Sequence, residues 1–264
     1  MRRYERIRSE HIGTRAQITL TNAKRRNAIS PQMTSELLRA LEDATDDAAV
    51  RVIVITGEGK TFSAGGDFSR MSPASDSIRP PSSAVDVKGD YADLLMALLR
   101  CEKPTIARVN GHALGSGLGI VAACTFSVAL VDAQFGTPEI NAGLFPMMVM
   151  ALLARVMPRR RLLEMMLLGE KIDATEAAKI GLIGHAVEPG ELDERVREIE
   201  GQIALKSPLI VRLGLRAFAS QEDLALDRAL PMLRERLADV LSTEDAREGL
   251  LAFMEKRQPR WAGR

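Results

Sequence analysis

Two rhythms of apolar residues divide this chain. Short, nearly continuous runs at 50–56, 105–109 and 126–131 read as strands, and residues 15–20 alternate enough for a further one. Elsewhere the spacing widens to three and four residues. Met33, Leu37, Leu38 and Leu41 form one stripe of a helix that Ser30 caps and Pro31 opens, preceded by a polar turn at 22–27. Residues 91–99 resume the helical spacing, and Lys103-Pro104 ends it. Strand followed by helix, repeated, predicts an α/β core. Beyond Pro146 the pattern is mostly helical, at 147–157, 160–168, 174–180, 191–205, 208–219, 223–241 and 243–256, with a single strand at 183–187. No sequence repeat is evident.

The stretch from Thr105 to Pro146 is the part most suggestive of chemistry. Its plan reads as strand, glycine turn, helix, with Val109-Asn110-Gly111-His112-Ala113-Leu114-Gly115-Ser116-Gly117-Leu118-Gly119 at the centre. Glycines let the backbone approach a ligand, and a helix N-terminus offers amide N–H groups that lack partners within the helix. The plain alternative is that these glycines only let a helix pack tightly on a sheet. A second small-residue turn argues for more. After the strand at 52–56 come Gly57-Glu58-Gly59-Lys60 and then Phe62-Ser63-Ala64-Gly65-Gly66-Asp67, which reads as an exposed loop. Two loops of this kind can aim backbone donors at one oxygen atom.

Glu139 is the best acid/base candidate, because Ile140, Ala142, Leu144, Phe145, Met147 and Met148 around it are apolar. A carboxyl among such side chains has its proton affinity raised by loss of water, which suits proton transfer near neutral pH. Ser116 is not placed as a nucleophile, since Leu114 and Leu118 stand where the glycines of a Gly-x-Ser-x-Gly elbow belong. His112 has no metal-ligand spacing with His11 or His185 and reads as structural.

Composition removes several classes. With 36 basic and 35 acidic residues the net charge is +1, which argues against a general nucleic-acid-binding surface. The two cysteines, Cys101 and Cys124, form no Cys-x-x-Cys pair and read as buried thiols, with neither a disulfide framework nor a metal site. The first residues are too charged for a signal peptide, and the longest apolar run, 144–153, is too short to span a bilayer, so no membrane role and a cytoplasmic location are expected. Residues 71–87, rich in serine and proline, read as a mobile loop that is either a cover for a pocket beside the preceding donor turn or an inert insertion.

In order and spacing, Phe62-Ser63-Ala64-Gly65-Gly66-Asp67, then Val109 to Gly117, then Gln134-Phe135-Gly136-Thr137-Pro138-Glu139 with Gly143-Leu144, resemble the enoyl-CoA hydratase/isomerase (crotonase) superfamily. The resemblance runs from about Arg15 to the C-terminus. It implies an α/β fold built as a spiral of β-β-α turns, with residues 1–200 as the core bearing the acyl-CoA site and 201–264 as a C-terminal helical region for oligomerisation into trimers or dimers of trimers. It places the oxyanion donors at the backbone of Gly66 and Ser116 and the acid/base group at Glu139. By the same carry-over Lys60, Ala64, Phe253 and Lys256 contact coenzyme A, which enters as part of the thioester substrate and not as a permanently bound cofactor. Another CoA-binding lysine of some relatives aligns with Ser69, beside Arg70, so this chain departs from the family pattern there.

Two departures bear on the reaction. Hydratases of the family usually carry two glutamates, and the first aligns with Gly119, which has no side chain. A glycine-rich run after the second is replaced by Pro146-Met147-Met148-Val149-Met150, read mainly as core packing and otherwise as lining of a reshaped acyl pocket. Isomerisation of an enoyl-CoA by one carboxylate is therefore favoured over hydration, although Asp67 or a carboxylate from the loop at 71–87 could restore a pair. Two further readings stay open. One is an inert acyl-CoA-binding relative. The other is an NAD-binding oxidoreductase, suggested by Gly115-Ser116-Gly117-Leu118-Gly119 and Asp132, although the third glycine and the acidic residue are out of place.

Overall fold

The computed structural model describes residues 3–67 and 87–264. All of the segment expected to be mobile except Val87 lies outside these residues, as do Ser69 and Arg70. The chain opens with a hairpin, β1 (Ile7–Ile12) and β2 (Arg15–Leu20), then helix α1 (Pro31–Asp46). The Ser30 hydroxyl accepts the Met33 N–H and Pro31 holds the first helical position, as the sequence predicts. Met33, Leu37, Leu38 and Leu41 are all buried against the sheet.

Three β-β-α turns follow. β3 (Val52–Gly57) and β4 (Thr61–Ser63) lead towards α2 (Tyr91–Leu99). β5 (Thr105–Val109) and β6 (His112–Leu114) lead to α3 (Ser116–Ala123), and β7 (Phe126–Leu130) and β8 (Gln134–Gly136) lead to α4 (Met147–Val156). In each turn the first strand joins a six-stranded sheet and the second joins a four-stranded one. The orders are β1-β2-β3-β5-β7-β10 and β4-β6-β8-β9, where β9 is Lys171–Asp173 and β10 is His185–Val187. The large sheet is parallel except for β1 against β2.

The spiral is thus a structural repeat that the sequence does not display. Its second strands are only three residues long, too short to register as a hydrophobic rhythm. For that reason the apolar pattern predicts none of β6, β8 and β9, and 105–124 is strand, turn, strand, helix instead of strand, glycine turn, helix. The loop expected at 62–67 begins inside β4, where Phe62 and Ser63 are fully buried.

Parallel strands covered on both faces read as unbroken apolar runs. On one side of the large sheet Ile18, Ile53, Ile55, Ala107 and Val109 join the main core with α1, α2 and α3. On the other, Val52, Val54, Ile106 and Val128 meet Leu192, Val196 and Ile199 of α7 (Leu192–Ala204). Helices α5 (Arg159–Leu168) and α6 (Ala174–Lys179) complete the core. The chain then runs into α8 (Pro208–Gln221), α9 (Leu226–Leu241) and α10 (Glu244–Met254), where α10 packs on α8 and α9. Asp245 is fully buried there and accepts from the Ser207 hydroxyl and from the amides of Ala262 and Gly263, which fastens the C-terminal tail.

No described helix is long and apolar enough to cross a membrane. The cysteines are half-buried as residues, not buried, but their thiols are desolvated. Burial pushes Cys101 upward and Cys124 up to about 12.

Candidate active site

β4, β6 and β8 lie side by side and run parallel, with Ser63 opposite Ala113, and Ala113 and Leu114 opposite Phe135 and Gly136. Three chains therefore leave the sheet at one edge. They continue as Ala64-Gly65-Gly66, as Gly115-Ser116, and as Thr137-Pro138-Glu139. The three motifs singled out in the sequence meet because of this pairing.

The first two loops touch at their glycines. Gly65 (φ +102°) and Gly115 (φ +48°) both have backbone conformations that other residues rarely adopt. A Cβ placed on Gly65 would be 3.1 Å from the Leu114 carbonyl oxygen and 3.6 Å from Gly115 Cα. Gly66 and Ser116 each come one residue later. Ser116 is the first residue of α3, so its N–H precedes the helical hydrogen-bond ladder. Gly66 forms a parallel bridge with Ile29, in which the Ile29 N–H donates to Gly65 O and the Asp67 N–H to Ile29 O, leaving the Gly66 N–H unused. Among the described residues neither the Gly66 nor the Ser116 amide has a hydrogen-bond acceptor.

The loop that carries Gly66 is supported from below by Asn27, a fully buried side chain. Its Nδ2 donates to Glu58 O (3.0 Å) and Thr61 O (2.8 Å), and the main-chain carbonyl of Asn27 accepts the Ser63 hydroxyl at 2.8 Å. Ser63 Oγ in turn accepts the Gly65 N–H at 3.2 Å. On the α3 side, a Cβ on Gly117 would be 2.6 Å from Ser63 Cβ, so the tight-packing role considered for these glycines holds at Gly117.

Glu139 sits in a short 3-10 turn, Pro138–Ala142, and is buried. Its carboxyl lies beside Gly115, where an added Cβ would collide with Oε1 and stand 3.2 Å from Cδ. Its Oε2 is buried with no hydrogen-bond partner among the described residues. Loss of water raises its pKa above the ordinary carboxylate value, the effect that the sequence suggested. The cause differs in detail, since Ala142, Leu144, Met147 and Met148 are exposed. Burial comes instead from the glycine loops across the cleft and from the packing of the turn on α5. Met147 and Met148 consequently do not pack in the core as expected, whereas Met150 does so in part.

Asp67, a possible second acid, is held by the Arg25 guanidinium at 3.2 Å. The other buried carboxylate among the described residues, Asp245, belongs to the tail anchor. Tyr91 belongs to the site without any local signal in the sequence. Its side chain crosses from α2 to α3, its hydroxyl donates to the Ser116 carbonyl at 2.5 Å, and it fills the space beside Gly119. Burial first, and the Glu139 charge in addition, push its pKa far up against the smaller opposite effect of the Ser116 bond, so the phenol stays neutral.

Lys60 is exposed in the turn ahead of β4, and Ala64 is half-buried at the mouth of the first loop. Phe253, 84% exposed, and Lys256 lie at the end of α10. His112 is exposed and its Nδ1 accepts the Gln134 N–H, a structural role. The described residues hold no cluster of three metal-ligating side chains.

An arrangement of two unoccupied amides and a desolvated carboxyl suits stabilisation of a developing oxyanion next to a proton transfer. Residues 11–264 match the family model for enoyl-CoA hydratase/isomerase. The human enoyl-CoA hydratase domain-containing protein 3, mitochondrial, is 34% identical over 245 residues, 93% of this chain and 80% of that one. A crotonyl-CoA hydratase of Syntrophomonas wolfei is 33% identical over 260 residues, covering 97% of each chain. The crystal structure of human enoyl Coenzyme A hydratase domain-containing protein 3 superposes with a TM-score of 0.88 at 31% identity, across 97% of this chain and 100% of that one.

Proposed function

The chain belongs to the enoyl-CoA hydratase/isomerase family, and we propose that it moves the double bond of an enoyl-CoA ester with one carboxylate, Glu139. The family acts on acyl-CoA esters. The thioester oxygen accepts from the Gly66 and Ser116 amides, whose hydrogen bonds strengthen as negative charge develops; one such donor is typically worth about a hundredfold to a thousandfold in rate. Glu139 takes a proton from C2 of a 3-enoyl ester, the C2=C3 bond forms as C3=C4 breaks, and the same carboxyl returns the proton at C4. Lys60 and Lys256 meet the phosphates of the coenzyme, Phe253 packs near its adenine, and Ala64 flanks the thioester arm.

The observation that carries this reading is that, among the described residues, a single buried carboxylate stands beside the two loops. Glu139 has an unpartnered buried oxygen beside the two loops, while Gly119 offers no second acid and Asp67 is committed to Arg25. Hydration is the second reading, favoured by the crotonyl-CoA hydratase from Syntrophomonas wolfei among the relatives. Incubation with 3-enoyl-CoA and 2-enoyl-CoA esters, with the isomers separated by chromatography and any hydrated product identified by mass, discriminates the two. The isomerase interconverts the esters without gain of water, and a 3-hydroxyacyl product as the main outcome removes it. An unaltered rate in Glu139→Gln removes Glu139 as the acid/base group.

The exposed apolar faces of α8 to α10, with Phe218, Leu226, Leu230, Leu237 and Leu250 each more than half exposed, support assembly of further copies of this chain through them. Sedimentation or light scattering of the purified protein tests that.

A further inference from the structure

Position 119 has no side chain, and the room that one would need is taken. A Cβ built on Gly119 overlaps Tyr91 Oη and stands 3.4 Å from Tyr91 Cζ and 3.1 Å from Val149 Cγ2. The ring comes from α2, whose first turn is held firmly. The Asp90 side chain accepts from the Ala92 and Asp93 amides while the Asp93 carboxylate accepts the Asp90 N–H, a reciprocal cap. From this fixed base the phenol reaches Ser116 and donates to its carbonyl. Ser116 is the residue whose N–H the reading above assigns to the thioester oxygen. The hydroxyl thus grips the same residue from the other side of its α-carbon.

The same placement bears on water. Hydration of a 2-enoyl ester forms a C–O bond at C3 and a C–H bond at C2 from one water molecule. That water must be held by more than the group that exchanges its proton. A carboxylate on position 119 would be the natural second holder, and the Tyr91 hydroxyl stands in its way. Isomerisation needs no water at all.

We propose that Tyr91 sets the choice of reaction, its hydroxyl both holding Ser116 and the first turn of α3 and occupying the space that a water-orienting carboxylate on position 119 would need. The inference rests on the functional reading above and extends it to a residue that does not itself exchange protons with substrate. Tyr91 is a positioning and specificity-determining residue. A hydroxyl kept neutral by burial and by Glu139 can donate to a carbonyl throughout the working range, which agrees with this role.

The test compares the full chain with Tyr91→Phe, Gly119→Glu and the double variant Tyr91→Ala/Gly119→Glu. Each is checked for folding by circular dichroism and for binding of a saturated acyl-CoA by calorimetry, then assayed with 3-enoyl-CoA and 2-enoyl-CoA esters. Tyr91→Phe is expected to lower kcat for isomerisation about tenfold with KM within about twofold, the split that marks loss of an interaction used only in the transition state. The double variant is expected to add water at least about tenfold faster than the wild type, and Gly119→Glu with Tyr91 in place is expected not to. A wild-type kcat in Tyr91→Phe overturns the proposal, as does a folded, ester-binding double variant that adds no water. Should the double variant not fold, the kcat of Tyr91→Phe decides. A wild type inert towards both esters defeats the functional reading itself, whereas an active wild type with unresponsive variants defeats only the role of Tyr91.

Discussion

Gly115 and Glu139 stand so close across the cleft that a methyl group on the glycine would strike Oε1 of the carboxylate. The carboxyl is placed by a residue that has no side chain. Gly115→Ala therefore forces the acid aside and also strains a backbone at φ +48°. Expected results are a fall in kcat of about a hundredfold, since displacement by ~1 Å can cost that much, and a loss of stability of about 1–3 kcal/mol from the strained conformation. Steady-state kinetics and urea unfolding measure the two separately.

Glu139→Gln keeps the shape of the side chain and removes its basicity. On an accepted ester kcat is expected to fall by roughly a hundredfold to ten-thousandfold, the usual share of a general base, with little change in affinity for a saturated acyl-CoA. Calorimetric titration beside the rate assay checks both.

The pH dependence follows from the same group. Glu139 must be ionised to accept a proton, and burial raises its pKa above the ordinary 4.5, so the acidic limb of the kcat profile should bend at a higher pH than a solvated glutamate gives. Stability has the opposite slope. The native carboxyl binds its proton more tightly than the unfolded one, so this contribution is full below the unfolded pKa and is lost as pH rises through the folded value. Urea unfolding across that window should show a decline that Glu139→Gln removes.

Asn27 supports the first donor loop through side-chain bonds to Glu58, Thr61 and Asn22, and it does so at φ +54°. Asn27→Ala leaves two carbonyls and an amide without their partner. A loss of about 2–4 kcal/mol is expected, together with reduced turnover because the turn into β4, and the donor loop that β4 feeds, lose the side-chain bonds to Glu58 and Thr61. Chemical denaturation and kinetics at a temperature where the variant stays folded test this.

Asp245 anchors the tail through the amides of Ala262 and Gly263. Asp245→Ala should expose residues beyond 255 to limited proteolysis well before the β-strands are cut, with about 1–3 kcal/mol lost for the unmet donors. Mass analysis of the first fragments is the readout.

Much of the fold could be read from local signals. The Ser30 cap with Pro31, the α1 stripe, the buried runs of β3 and β5 and most of the helices beyond Pro146 follow from spacing and capping chemistry close by in the chain. The second sheet was not legible, because three-residue strands such as His112-Ala113-Leu114 and Lys171-Ile172-Asp173 carry no rhythm of their own and exist only through pairing. Glu139 stood out by its sequence neighbours, yet its burial depends on Gly115 and on α5, which are distant in sequence. Tyr91 looked like any first residue of a helix, since what it touches lies twenty-five positions onward at Ser116.

β4, β6 and β8 are each three residues long and deliver the three loops from neighbouring ends. An insertion or deletion of one residue in any of them would turn its side chains to the opposite face and slide the following loop by about 3.3 Å. Neither neighbour has length to spare for compensating the slip. In a library of length variants, these nine positions should be the least forgiving stretch of the chain, whatever reaction it is asked to perform.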